Sequence, residues 1–335
     1  MKKMFFALAA LLLAFTACTS ENEVMDTPKK KEVKVAVNMD KPGFGEDTRA
    51  ERTDWEGEEE VVVVLDNYFG AFVHLYYQGF SGEWEATYVK YDGEKFGVIY
   101  SSNVSEFIGN LKTKLGNNGN LKAIYLSSGE VYPENEDSTP ATRASIPEQD
   151  VTLLDDVPET LRIVSNAVGE GKGECIMTCE NGTYEISGSE EDGYVLALNI
   201  MMVPQVAQFT IRHSDPIDMS KEVLCVGGAL TAYGGATLTS GGFVLNAAEL
   251  DEFYDCWPHS NEDGTSIYAS PWTESKDGVE KDSFTFGYWK NEGAAYSYIR
   301  TFTGKTELKN GDAVIMDGPF TTGAESKWNS WPTEE

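Results

Sequence analysis

KEVKVAVNMDKPGFGEDTRAERTDWEG, residues 31–57, is the stretch on which the reading of this chain turns. Val33, Val35, Val37 and Met39 are spaced by two, with Lys34, Ala36 and Asn38 between them. Successive strand side chains point to opposite faces, so this alternation predicts one β-strand with a single apolar face. Asp40 to Thr48 follows with Pro42, Gly43 and Gly45 among charges, which predicts an exposed, flexible loop. Arg49 and Arg52 close that loop, where a protease reaches the backbone without unfolding a core. A cut between Arg49 and Ala50 would detach the strand. The sheet left behind would offer unpaired N–H and C=O groups to a strand from another molecule.

Upstream, residues 1–17 read as an export signal. Lys2 and Lys3 precede an unbroken apolar run from Met4 to Phe15, and small residues lead to Cys18. The run is too short to span a bilayer as a helix, which takes roughly 20 residues, and its flanks fit a cleavable signal. Cysteine after small residues is the lipobox arrangement of bacterial lipoproteins, which makes Cys18 the expected lipid attachment site. Phe15 stands where the commonest lipobox has leucine. Acyl chains hold a protein on a membrane because each buried CH₂ contributes ~0.8 kcal/mol. Residues 18–31 are polar and aperiodic, a tether.

The formal net charge of −29 argues against nucleic acid and anionic lipid surfaces as partners. The acidic runs Glu58-Glu59-Glu60 and Glu190-Glu191-Asp192 read as solvated loops. Beyond Cys18, four cysteines remain: Cys175, Cys179, Cys225 and Cys256. Outside the cytoplasm these are candidate disulfides with three possible connectivities, among which the sequence does not choose. Cys175 and Cys179 on one extended strand would lie ~13 Å apart, too far to bond to each other. A zinc site using Cys175, Cys179, Cys256 and His259 has irregular spacing, so no metal is expected.

The body of the chain is short β-like runs separated by Gly, Asp and Asn. Val61 to Leu65 is continuously apolar and predicts a strand buried on both faces. Ser105 to Leu115 predicts a helix, with Ser105 as cap and Phe107, Ile108, Leu111 and Leu115 on one face. Residues 133–150, with three prolines and an acidic cluster, are the expected domain boundary. They contain a second Thr-Arg-Ala, around Arg143, read as coincidence. Further on, Asn181-Gly182 predicts a hairpin turn, and 247–254 a short helix. Glycines over 227–242 read as bends in a curved sheet. This pattern predicts a mainly β chain of two antiparallel β-sandwich domains with one or two short helices, at 32–145 and 146–335. The removable first strand is 32–49.

No nucleophile elbow, zinc-binding histidine pair, phosphate loop or dinucleotide fingerprint is present, so neither catalysis nor a cofactor is expected. His74, His213 and His259 read as strand or loop residues. Most of the seven tryptophans read as core; Trp328 and Trp331, close to the C-terminus, are harder to place there.

The order of lipobox cysteine, polar tether, alternating strand, Thr48-Arg49-Ala50 and Trp55-Glu56-Gly57-Glu58 resembles the fimbrillin-like surface lipoproteins of anaerobic gut and oral bacteria. The resemblance covers about the first 60 residues. It implies sandwiches of transthyretin-like type, an Arg-specific cut after the first strand, and pilus subunits as partners joined by strand donation. It also implies an outer-membrane or fimbrial location and a role in adhesion to a surface glycan or protein. Extra cysteines and an acidic tail without alternation depart from a stalk subunit and favour a tip or anchor role. A glycan-binding surface lipoprotein that does not polymerise is the alternative.

Overall fold

The computed structural model describes residues 32–44, 55, 57, 59–126, 131–134, 150–165, 175–212, 222–228, 230–231 and 233–247, and shorter runs at 253–255, 257–258, 264–271, 283–290, 296–303 and 310–317. In chain order the first strands are β1 (Lys34–Asp40), β2 (Glu60–Leu65), β3 (Ala71–Gln78), β4 (Glu83–Tyr91), β5 (Phe96–Val98) and, after helix α1 (Val104–Leu115), β6 (Asn118–Leu126). Then come β7 (Val131–Glu134), β8 (Leu161–Ser165), β9 (Ile176–Ser189), β10 (Gly193–Met201), β11 (Val203–Pro204) and β12 (Ala207–Arg212). The remainder are β13 (Glu222–Gly228), β14 (Leu230–Thr231), β15 (Tyr233–Thr239), β16 (Gly242–Ala247), β17 (Phe253–Asp255) and β18 (Trp257–Pro258). Last are β19 (Gly264–Pro271), β20 (Ser283–Lys290), β21 (Tyr296–Thr303) and β22 (Ala313–Asp317). The chain is mainly β, as the sequence predicts.

The largest sheet runs β1-β10-β9-β6-β2-β3-β4-β5, with β11 on β9. A second runs β16-β15-β8-β7, a third β14-β19-β12-β22 with β18 on β19, and a fourth β17-β13-β20-β21. Pairing is antiparallel except β1 with β10 and β12 with β22, which are parallel. The expected division at 145/146 runs through the largest sheet, because β9 and β10 pair with β6 and β1. Asp150 to Asp155 straps the same region. Lys90 Nζ donates to the Asp150 carbonyl at 2.7 Å, Asn110 Nδ2 to that of Val151 at 3.0 Å, and Tyr68 Oη to that of Leu154 at 2.7 Å.

β2 explains why the sheet is buried on both sides. Val61, Val63 and Leu65 face an inner core with Phe107, Ile108 and Leu111 of α1. Val62 and Val64 face an outer core with Leu161 and Ile163 of β8 and Ala236 and Leu238 of β15. A strand covered twice needs no alternation.

Four local expectations are corrected. Asn181-Gly182 is not a hairpin turn: β9 runs straight through it, and the register against β6 shifts between Leu121 and Ala123, so the pair marks a bulge. A Cβ on Gly182 would strike the Leu121 side chain, which explains the glycine without a turn. Ser105 is not the cap of α1 either. A 3₁₀ turn, Ser101–Asn103, leads in, Asn103 holds the cap position, and Ser105 is buried inside the first turn. The expected helix over 247–254 is replaced at its described ends by β16 and β17, whose Phe253 and Tyr254 pair with Gly227 and Val226 of β13. Lastly, Glu59 and Glu60 are buried rather than solvated.

Tyr88 is buried against Phe107, and its hydroxyl has no hydrogen-bond partner among the described residues. Burial pushes its pKa up. Replacing it with Phe removes an unsatisfied polar group, so Tyr88→Phe should gain about 1 kcal/mol in urea denaturation at pH 7. A raised folded pKa costs the wild type stability as pH climbs past that of an unfolded tyrosine, about 10. The advantage of the variant should therefore widen above that pH, and a loss at pH 7 would contradict this reading.

Candidate functional site: the seat of the first strand

β1 alternates as predicted. Lys34, Ala36, Asn38 and Asp40 are exposed, while Val35 and Val37 are half-buried and Met39 is buried. In the parallel register Val35 lies beside Leu196, Val37 beside Leu198 and Met39 beside Ile200. Those three β10 residues are at most 2 % exposed and face the inner core. Among the described residues β1 is a terminal strand of the sheet, with β10 as its one sheet neighbour. Its seat is therefore a backbone edge plus the apolar row of Leu196, Leu198 and Ile200 at every second position.

A latch closes over the C-terminal end of β1. Trp55 Nε1 donates to the Met39 carbonyl at 3.2 Å. The indole meets Trp84 edge-on at 5.0 Å and Tyr125 at 5.5 Å between ring centroids. Lys41 Nζ lies 5.3 Å from the Trp55 centroid and 5.6 Å from that of Tyr125, within cation–π range. The same ammonium donates to Glu59 Oε1 at 3.2 Å, and the other Glu59 oxygen accepts the Gly57 N–H at 2.7 Å. Both charged side chains are largely withdrawn from water, 16 % and 10 % exposed, so the pair is screened less than a surface pair. Phe44, buried at 7 %, joins the same inner core.

Four of these contacts join a residue before Arg49 to one after it: Met39 with Trp55, and Lys41 with Trp55, Tyr125 and Glu59. Met39, Lys41 and Phe44 belong to the β1 segment; Trp55, Gly57 and Glu59 belong to the body. The alternation of 33–39 was legible in sequence, but the latch was not. Lys41 and Glu59 read there as loop charges, and the signal that could have singled them out was a tryptophan flanked by acids, Trp55-Glu56-Gly57-Glu58-Glu59.

Other predicted site residues fall elsewhere. Cys175 and Cys179 are buried in the inner core, and Cys225 lies on β13. Cys18, Arg49, Ala50, Arg143, His213, Cys256, His259, Trp328 and Trp331 lie outside the described residues. His74 Nε2 lies 2.8 Å from Glu60 Oε2 on paired strands, so it works as a structural partner.

No family model matches the chain, and no curated protein matches it. Solved structures similar to it include fimbrial proteins. One is a fimbrial protein from Bacteroides ovatus, 12 % identical with a TM-score of 0.33, over 87 % of this chain and 49 % of that one. Another is the fimbrial anchor protein Mfa2 from Porphyromonas gingivalis, 10 % identical with a TM-score of 0.31, over 86 % of this chain and 89 % of that one.

The latch has a local signature. Trp55→Ala should loosen β1 by about 2 kcal/mol, the loss of a half-buried indole and its hydrogen bond. Glu59→Gln should cost about 1–3 kcal/mol by leaving the Lys41 ammonium withdrawn from water without its carboxylate. Amide hydrogen exchange should speed up at residues 34–40 in both variants and stay slow in β2. Equal acceleration in both strands would mean that the latch holds the whole fold and not β1.

Proposed function

We propose that this chain is an exported surface lipoprotein that serves as a tip, terminal or anchor component of a fimbria in cell adhesion. In this reading Cys18 carries the lipid, an Arg-specific protease cuts between Arg49 and Ala50, and β1 gives way to a strand donated by another subunit. The role is binding and assembly, with no chemistry asked of the chain. The observation that carries the reading is the layout of β1: a terminal strand whose apolar side chains pack along β10 and whose latch residues straddle Arg49.

The energetics support exchange. Fully burying a Val, Ile or Met side chain contributes about 1.5–3 kcal/mol, and in β1 only Met39 is buried, while Val35 and Val37 are half-buried. An incoming strand with larger or better-buried side chains at the same period would displace it. Before a cut, the chain connection keeps β1 at high effective concentration over its seat; afterwards that advantage is gone. The chain is also a poor donor. Its last described apolar run, Ala313–Asp317, is already paired in parallel with β12. A subunit that accepts a strand more readily than it donates one suits the end of a polymer.

N-terminal sequencing of protein sheared from cells tests this directly. Material incorporated in fimbriae should begin at Ala50, while membrane-bound precursor should be blocked at an acylated Cys18. Labelling with an alkyne fatty acid should vanish in Cys18→Ala. Sheared protein that retains residues 18–49 on every copy would overturn the strand-exchange reading.

A further inference from the structure

The second sheet covers only part of the outer face of the largest sheet. Where it stops, β1, β10, β9 and β6 expose a shallow cavity of about 740 Å³, inside the range of roughly 300–1,000 Å³ usual for small-molecule sites. Strand register sets its floor. Asn38 lies beside Asn199, Asn199 beside Thr183, and Thr183 beside Asn120, a straight row of exposed amides and a hydroxyl across four strands. In the next row Ala36 lies beside Ala197, and Ala197 beside Glu185. The two alanines leave a low step next to the polar row.

We propose that this floor binds a neutral oligosaccharide of two or three sugar units. The backbone N–H and C=O groups lie in the plane of the sheet, so a ligand lying on its face meets side chains. Each asparagine and threonine there offers both a donor and an acceptor, as sugar hydroxyls do. Asn38 Nδ2 donates to Asn199 Oδ1 at 2.8 Å, which leaves Asn38 Oδ1 as an acceptor and Asn199 Nδ2 as a donor for hydroxyls above them. Neighbouring strands are about 4.8 Å apart, a spacing comparable to that of alternate hydroxyls around a pyranose ring. The alanine step accommodates the C–H face of that ring.

Charge narrows the class. Among the described residues Glu185 is the single ionisable carboxylate lining the cavity, and no cationic side chain lines it. The chain as a whole carries −29. Sialylated or sulfated glycans would meet repulsion and no counter-charge. The floor is also held in place from below. Tyr184 Oη donates to Asp66 Oδ2 at 2.6 Å, and the Asn120 N–H donates to Asp66 Oδ1 at 2.9 Å, which pins β9 to β6. Tyr184 is buried on the inner side, so the floor offers no ring for stacking. Monovalent binding is therefore weak, in the millimolar range, and gains strength from repeated display.

Two of the floor residues, Ala36 and Asn38, belong to β1, so the site is complete only while β1 is seated. That holds whether or not β1 is ever exchanged. The test uses the intact chain, displayed at high density on beads, against an array of neutral oligosaccharides that includes chitotriose, mannotriose and xylotriose, with sialyllactose as the anionic control. At least one neutral oligosaccharide should bind and slow amide exchange in β1. Asn199→Ala and Thr183→Val, both at exposed positions, should each weaken binding five- to tenfold, while Thr87→Ala, on an exposed position of β4, should leave it unchanged. No binding across the neutral array, wild-type binding by both floor variants, or equal binding of sialyllactose would each overturn the proposal.

Discussion

The packing of β1 against β10 is the constraint on which the rest depends. Leu196, Leu198 and Ile200 turn inward toward α1, and Val35, Val37 and Met39 extend the same apolar rows by one strand. Without an occupant, the β10 edge would expose both those rows and the backbone groups that β1 satisfies. Unpaired strand edges are sites of uncontrolled association, so proteins cover or blunt them. This chain covers its edge with a segment joined to the body by the stretch that contains Arg49 and Arg52.

The latch makes that cover conditional. Trp55 and Glu59 hold the β1 segment through a carbonyl, an ammonium and ring faces, and Gly57 fixes Glu59; none of these contacts depends on the covalent connection through Arg49. An edge held covered in this way is protected from self-association. The sheet curls enough to bring β1 near β4, where Trp84 supports the same indole. The hold on β1 is thus made where the two ends of the curled sheet approach each other.

Sequence revealed what local pattern determines. Alternation at 33–39, the doubly buried run at 61–65 and the helical face of Phe107, Ile108 and Leu111 were all legible, because each is a periodicity within a few residues. Partnership was not. Asn38 and Asn199 are 161 residues apart, and nothing in either segment names the other. The same limit explains the boundary at 145/146: a proline-rich acidic stretch looks like a linker, whereas the strands on either side of it belong to one sheet. Glu59 misled for a different reason, since burial of a carboxylate depends on a cation brought close by the fold. The aligned row of Asn38, Asn199, Thr183 and Asn120 was invisible for the same cause, being a product of register across four strands.

The central claim is that β1 occupies a refillable seat. The most direct measurement is the melting temperature of protein cut with an Arg-specific protease, freed of its N-terminal fragment, and mixed with a synthetic peptide of residues 31–41. The account predicts that this peptide raises the melting temperature, whereas one with Val35 and Val37 changed to Asp does not, because those side chains enter the apolar rows. If both peptides leave the melting temperature unchanged, or both raise it equally, the seat does not exist as described.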